Sequence, residues 1–554
     1  MSIKKDLIKY TPRAEQKQAL EFIKKTKSEK PETKFFLMDL PVGIGKSHLS
    51  LMIADWYSKS GFASDKYPKM DIITAGKILQ DQYHSTYESI NNLKGKDNYN
   101  CTQYECSCAN GKEFNTLNKT SCDGCPYDEA RDGYINGNLN LTNFHLYLTY
   151  SIYNPTILEN RDADLLIVDE CHMLDEVLSD FISIKITEGV IKRLKFSKES
   201  EIIKKLKSVN SINGYVTFLQ YFLDQINGTI AELTGSMSGD RSALSDKRSL
   251  KITKLIGGVN KDVKLMQIIS DLKNYKLKVE VFLKEWEDDK DNWVLETSIN
   301  DKTNTKELSL EPIWAYNYLE KYVWSRYETV ILMSGTILDK KLFSQLNGLE
   351  DDVVAYYSIP SPFPAENRQI YYMPLGKMSY LKKEETFKSY VPFIFKLLKK
   401  YDGKKGIIHT NSFELANWIQ KGVDSDRLLF HDSSNKEELL KFFMETEFPR
   451  VFVSPSVGTG VSFDHEKSRF QVVAKIPYPS LASQKNKLRQ QRNPEWYSWR
   501  TCCDLLQIFG RSVRSKTDYA DTIILDSSFS DILKYSSYLI PEWVQESIKK
   551  INVK

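Results

Sequence analysis

The chain has 554 residues, 41% of them hydrophobic and 27% charged, with a formal charge of +4. That length holds roughly three or four domains, and the composition excludes a disordered or membrane-embedded chain. So small a net charge excludes a basic coat for nucleic acid, which leaves room only for a local groove.

No window reaches the apolar length needed to cross a bilayer, and MSIKKDLIKYTP lacks the layout of a signal peptide. The cytosol is therefore the expected compartment. There, eight cysteines are expected as thiols or metal ligands rather than as disulfides.

In YTPRAEQKQALEFI, Arg13 and Gln16 stand at the start of a predicted helix, and a glutamine amide offers one donor and one acceptor to the edge of adenine. The stretch KFFLMDLPVGIGKSHLS follows. Phe35 to Met38 read as a buried strand, Gly43 and Gly45 break the pattern, and Leu49, Met52, Ile53 and Trp56 resume it at helical spacing. A strand, a glycine-bearing loop and a helix opening on Lys46-Ser47 predict a phosphate-binding loop. Lys46 would reach the β- and γ-phosphates of ATP, and the Ser47 hydroxyl would sit on magnesium. Leu40 holds the place of the first glycine in the general fingerprint.

MDIITAGKILQDQY predicts a strand ending near Thr74 and then a helix; Thr74 and Lys77 fall at the carboxyl end, where open parallel sheets bind ligands. Five cysteines then crowd one segment: Cys101, Cys106, Cys108, Cys122 and Cys125. Four thiolates suit an iron–sulfur cluster or a structural zinc. Cys101, Cys122 and Cys125 are the expected ligands, with Cys108 or, as the alternative, Cys106 as the fourth.

ADLLIVDECH predicts a strand that delivers Asp169 and Glu170. Asp169 would hold magnesium and Glu170 would orient and deprotonate the attacking water. From about Met173 to Tyr327 the pattern turns helical: Tyr215, Phe218, Leu219, Phe222 and Ile226 share one face, and Val263 to Trp286 is a long lysine-rich stretch. TVILMSGTIL returns to strand and ends in Ser334-Gly335-Thr336, placed for coupling nucleotide to polymer. GIIHTNS and RVFVSPSVGTGVSF are further strand-then-loop units, with His409 read as structural and Gly460 as a coupling residue. DLLQIFGRSVRS carries Gln507, Arg511 and Arg514. The two arginines share a helical face, as guanidinium forks aimed at a γ-phosphate would.

The order LPVGIGKS, cysteine group, DECH, SGT and QIFGRSVR resembles the XPD/DinG family of superfamily 2 iron–sulfur helicases, and SPFPAENR and KIPYP add to the likeness. In that family the phosphate loop lacks its first glycine, and Cys171 stands for the alanine of DEAH. The resemblance implies an α/β fold of two RecA-like parallel-sheet motor domains with ATP between them. The first would comprise residues 1–97, 141–173 and 328–340, the second residues 341–554. It further implies an iron–sulfur insertion over 98–140, a mostly helical Arch-like domain over 174–327, and a [4Fe–4S] cluster in preference to zinc. Gln16 matches the nucleotide-sensing position. The implied activity is ATP-dependent 5′ to 3′ unwinding of forked or tailed duplex DNA from a single-stranded tail, by a monomer with no membrane partner. One departure stands out: Thr459 precedes Gly460 and Ser462 follows two residues later, where the family carries acidic residues. That departure keeps open a nucleic-acid-bound remodeller that opens no duplex, and because no recognised RNA module reads the sugar, a helicase acting on RNA or RNA–DNA hybrids is a further alternative.

Overall fold

The computed structural model describes residues 4–62, 68–118, 120–237, 261–300, 305–457 and 461–551. In chain order the first strands are β1 (Phe35–Asp39), β2 (Met70–Thr74), β3 (Asn91–Asn92), β4 (Leu139–Asn143) and β5 (Leu165–Asp169). Three strands follow in the insertion: β6 (Ile184–Ile186), β7 (Trp293–Asn300) and β8 (Thr305–Pro312). β9 (Thr329–Ser334) and β10 (Val354–Ser358) complete the first sheet, whose order is β10-β1-β9-β5-β2-β4-β3. Every pairing in it is parallel.

Its central strands are apolar on both faces, as a sheet covered by helices on both sides requires. Phe35, Leu37, Leu166, Val168, Val330 and Leu332 enter one core. Their alternating neighbours Phe36, Met38, Leu165, Ile167, Ile331 and Met333 enter the other. Beneath this sheet a buried ion pair joins Arg161 Nε to Asp71 Oδ1 at 2.7 Å.

The second sheet is built from β11 (Ile370–Gly376), β12 (Gly406–His409), β13 (Leu428–Phe430), β14 (Val451–Ser454), β15 (Phe470–Val473), β16 (Asp521–Asp526) and β17 (Ile548–Lys550). It runs β13-β14-β12-β15-β16-β11-β17 and is also parallel throughout. The two-sheet α/β architecture expected from the motif order is thus present.

Two boundaries differ from expectation. β10 pairs with β1, Phe35 opposite Val354, so the chain leaves the first sheet after Ser358 and not near residue 340. A short strand such as VAYYS carries no mark of the sheet it will join. Likewise Leu139 already begins β4, so the cysteine segment ends earlier than 140.

The insertion contains the expected helices, Ile212–Met237 and Lys261–Asp288, and Tyr215, Phe218, Leu219, Phe222 and Ile226 are all buried. It also holds an antiparallel sheet, β6-β8-β7, that the sequence reading missed. Only short parts of these strands alternate: in β6, Ile184 and Ile186 are buried and Lys185 is exposed, too brief a signal to stand out. Among the described residues no helix is long and apolar enough to cross a membrane.

Candidate active site

Because β1, β9, β5 and β2 are neighbours, their carboxyl ends bring the phosphate loop, the SGT segment, the DECH segment and Thr74 to one edge. Gly43 and Gly45 take the left-handed backbone at φ +86° and +87°, a region that side-chain-bearing residues rarely adopt. Gln16 is buried against this loop. Its amide nitrogen donates to Ile44 O at 3.1 Å and Gly45 O at 2.9 Å, and its oxygen accepts from Arg13 N at 2.8 Å. The Arg13 guanidinium donates to Gly43 O. Gln16 thus braces the loop carbonyls.

Lys46 Nζ lies 3.5 Å from Glu170 Oε1. Asp169 is buried, and its Oδ2 accepts from the Tyr83 hydroxyl at 2.9 Å while its Oδ1 accepts from Glu170 N at 3.1 Å. Burial first, then the adjacent Glu170 charge, pushes the Asp169 carboxyl up to about 6. Two carboxylates crowded in this way suit a divalent cation, whose charge would relieve both. Burial also opposes ionisation of Glu170, but Lys46, His172 and Arg514 outweigh it and hold that carboxyl below its ordinary value. Glu170 has φ +58°, a left-handed backbone that is costly for a glutamate and typical of functional positions.

A chain of polar contacts leaves this carboxylate for the second sheet. His172 Nδ1 is 3.5 Å from Glu170 Oε2 and 2.8 Å from Ser334 Oγ. Ser334 Oγ is 3.0 Å from Thr336 Oγ1, to which Gln507 Nε2 donates at 3.4 Å. The helix Pro494–Phe509 that carries Gln507 seals the contact. Trp499 Nε1 donates to Ile337 O at 2.9 Å, and Cys503 Sγ donates to Thr336 O at 3.2 Å. A Cβ at Gly335 would come within 3.1 Å of Leu40 O, a tight approach to the backbone that opens the phosphate loop. His172 and Tyr83 received no role from the sequence; no spacing rule marks a tyrosine two turns into a helix.

Arg511 donates to Val457 O at 2.8 Å and Val461 O at 3.4 Å. These carbonyls flank residues 458–460, so the expected coupling residue Gly460 lies outside the described residues. Burial pulls the Arg511 guanidinium down to about 10, with Arg514 adding to the effect. Arg514 is depressed by burial, with Glu170 and Asp464 as the opposite charges facing it. A cavity of 450 Å³ opens between the halves, lined among others by His172, His409, Arg500, Gln507 and Arg511. Buried His409 meets Gln471 at 3.4 Å, in keeping with a structural reading. Thr74 is buried with its hydroxyl on Gly76 O at 3.4 Å, and Lys77 donates to Asn98 at 3.3 Å.

In the cysteine segment, Cys108 and Cys122 both lie against Cys125 and both sense Cys101, whereas Cys106 lies against Cys101. Burial first, with the Cys125 and Cys101 thiols adding to it, raises the Cys108 thiol to about 11. Among the described residues no three His, Cys, Asp or Glu side chains are grouped to hold a metal ion as they stand. The donors are nonetheless of the right kind, and a cationic group would remove the mutual penalty on their ionisation.

Comparison with known proteins agrees with this geometry. Residues 9–207 match a family model described as type III restriction enzyme, res subunit, and residues 394–547 match one described as helicase C-terminal domain. The chain is 22% identical over 552 residues to the ATP-dependent DNA helicase CHL1 of Eremothecium gossypii, covering 88% of this chain and 64% of that protein's length. An XPD helicase structure superposes with a TM-score of 0.63 at 14% identity, covering 98% of this chain and all (100%) of the other. Xpd4 of S. tokodaii gives 0.55 at 14% identity, over 97% and 100% respectively; at such identity these two likenesses speak for the fold. With its motifs in that order, the chain has the fold of the XPD helicase structures, and its two ends match the res-subunit and helicase C-terminal models.

Proposed function

We propose that the protein is an ATP-dependent 5′ to 3′ DNA helicase that acts as a monomer on forked or tailed duplexes. Lys46 and Ser47 bind the phosphates, and Ser47 and Asp169 hold magnesium, which when bound neutralises the phosphate oxygens. Glu170 takes the proton of the attacking water, and Arg511 and Arg514 stabilise the charge on the transferred phosphoryl group. Cys101, Cys108, Cys122 and Cys125 would hold a [4Fe–4S] cluster that cross-links the cysteine segment. That segment touches the insertion through Lys273 and Glu113, 2.9 Å apart.

The observation that carries the reading is the polar chain from Glu170 through His172, Ser334 and Thr336 to Gln507. From His172, 3.5 Å from Glu170, it joins the DECH segment of one half to the other half, as a motor that converts hydrolysis into movement needs. DNA as the substrate follows the description of CHL1 as a DNA helicase, and the polarity follows the family resemblance.

The test is strand displacement by anaerobically purified protein on duplexes with a 5′ or a 3′ single-stranded tail, with ATP hydrolysis followed in the same samples. Opening of the 5′-tailed DNA alone is expected. DNA-stimulated hydrolysis with neither duplex opened would instead identify a remodeller. Preference for an RNA–DNA hybrid of the same sequence would move the substrate.

A further inference from the structure

Tyr83 lies on the helix Lys77–Thr86 and is 1% exposed. Its hydroxyl donates to Asp169 Oδ2 at 2.9 Å and lies 3.2 Å from Ser50 Oγ, one turn beyond Ser47 on the helix Lys46–Ser60. One hydroxyl thus ties the Asp169 carboxylate to the helix that opens on Lys46-Ser47. Its helix is pinned one turn earlier by Gln80, whose amide nitrogen donates to Asn92 Oδ1 at 2.6 Å and Leu93 O at 2.9 Å and whose oxygen accepts from Asn143 at 2.8 Å. Tyr83 therefore cannot follow the Asp169 carboxylate; the carboxylate must take the orientation that the hydroxyl sets. With Oδ1 already accepting from Glu170 N, both oxygens of Asp169 are oriented before any metal arrives.

We infer that Tyr83 is a positioning residue for the metal: its hydroxyl holds the Asp169 carboxylate and the helix that opens on Lys46-Ser47 in the mutual orientation in which they receive magnesium. This deepens the ATPase reading and rests on it.

The test is Tyr83→Phe, which removes the hydroxyl and keeps the ring, with Tyr83→Met as a second hydroxyl-free variant. Binding of a fluorescent ATP analogue is titrated against magnesium, and binding of manganese to the nucleotide-loaded protein is followed by electron paramagnetic resonance. Thermal midpoint and nucleotide affinity in chelator serve as the structural readouts. The expected result is a half-saturating metal concentration raised about tenfold, the worth of one hydrogen bond to a charged group, with both structural readouts near wild type. Metal dependence within about twofold of wild type would overturn the inference. So would a loss of nucleotide affinity in chelator that accounts for the whole effect, because Tyr83 would then be a packing residue. Wild-type protein that binds the analogue without regard to metal would instead sink the ATPase reading on which this rests.

Discussion

Lys46 Nζ rests 3.5 Å from Glu170 Oε1, so the lysine proposed to bind phosphate pairs with the carboxylate proposed as the base. Lys46, His172 and Arg514 together keep Glu170 ionised in spite of its burial. A carboxylate held below its ordinary pKa is a poor base.

Glu170→Gln is expected to lower kcat by about 10²–10⁴-fold, the range of general-base contributions, while ATP affinity is kept. Lys46→Ala should lose both turnover and affinity. Steady-state hydrolysis beside equilibrium binding of a fluorescent analogue separates the two. Turnover retained in Glu170→Gln would take the base assignment away from that residue.

Arg511 and Arg514 should not behave alike. Arg511 spends two donors on Val457 O and Val461 O, whereas the charges facing Arg514 are Glu170 and Asp464. Arg514→Ala should reduce basal kcat by about 10³-fold or more, as loss of an arginine finger does. Arg511→Ala should in addition release the loop between those carbonyls and diminish stimulation by single-stranded DNA. Equal ratios of stimulated to basal rate in the two variants would count against a separate loop role for Arg511.

The cysteine segment makes a prediction through a glycine. Gly111 lies against Cys101, and a Cβ there would come within 2.5 Å of its Sγ. Gly111→Ala must push the Cys101 thiol aside, so iron per chain and visible cluster absorbance should fall in anaerobically purified protein, as they should for Cys108→Ser. Cys106→Ser should keep its iron, because Cys106 lies against Cys101 whereas Cys108 and Cys122 gather on Cys125. Loss of iron in Cys106→Ser with retention in Cys108→Ser would exchange the two. Zinc in place of iron in wild type would replace the cluster.

Those parts of the site whose chemistry is local were legible in the sequence. Gly43, Gly45, Lys46 and Ser47 announce themselves by order alone, because a phosphate loop is one turn between a strand and a helix. Asp169 and Glu170 do so because paired carboxylates at the end of an apolar strand have few structural uses. Contacts made across the fold were not legible. Tyr83 meets Asp169 across 86 positions and His172 meets Ser334 across 162, and neither residue type is unusual where it stands. Gln16 was visible as a polar residue facing the loop, but which group its amide would meet depends on a distance only the fold sets. The strand Val354–Ser358 failed for the same reason: its composition specifies a strand, and only its pairing with β1 assigns it to a sheet.

Acid stability provides a test of the buried interface between the halves. His409 and His172 are both buried, and burial lowers them to about 3 and about 4. In the unfolded chain an ordinary histidine titrates near pH 6.5. The unfolded state therefore binds protons that the folded state refuses, and stability contributed by the neutral rings is complete above about pH 6.5 and is lost as pH falls toward the folded values. Each such histidine adds a slope of about 1.4 kcal/mol per pH unit in that window. Carboxylates with raised pKa, such as Asp169, Asp175 and Asp504, act in the opposite sense, so the wild-type profile alone is a sum. The informative comparison is His409→Gln, which keeps a polar side chain opposite Gln471 and removes one titrating ring. Thermal midpoints measured from pH 7 to pH 5 should fall less steeply in the variant, by the contribution of one proton. Parallel profiles would mean that His409 is protonated in the folded protein, and the packing around it and Arg511 would then be looser than the structure shows.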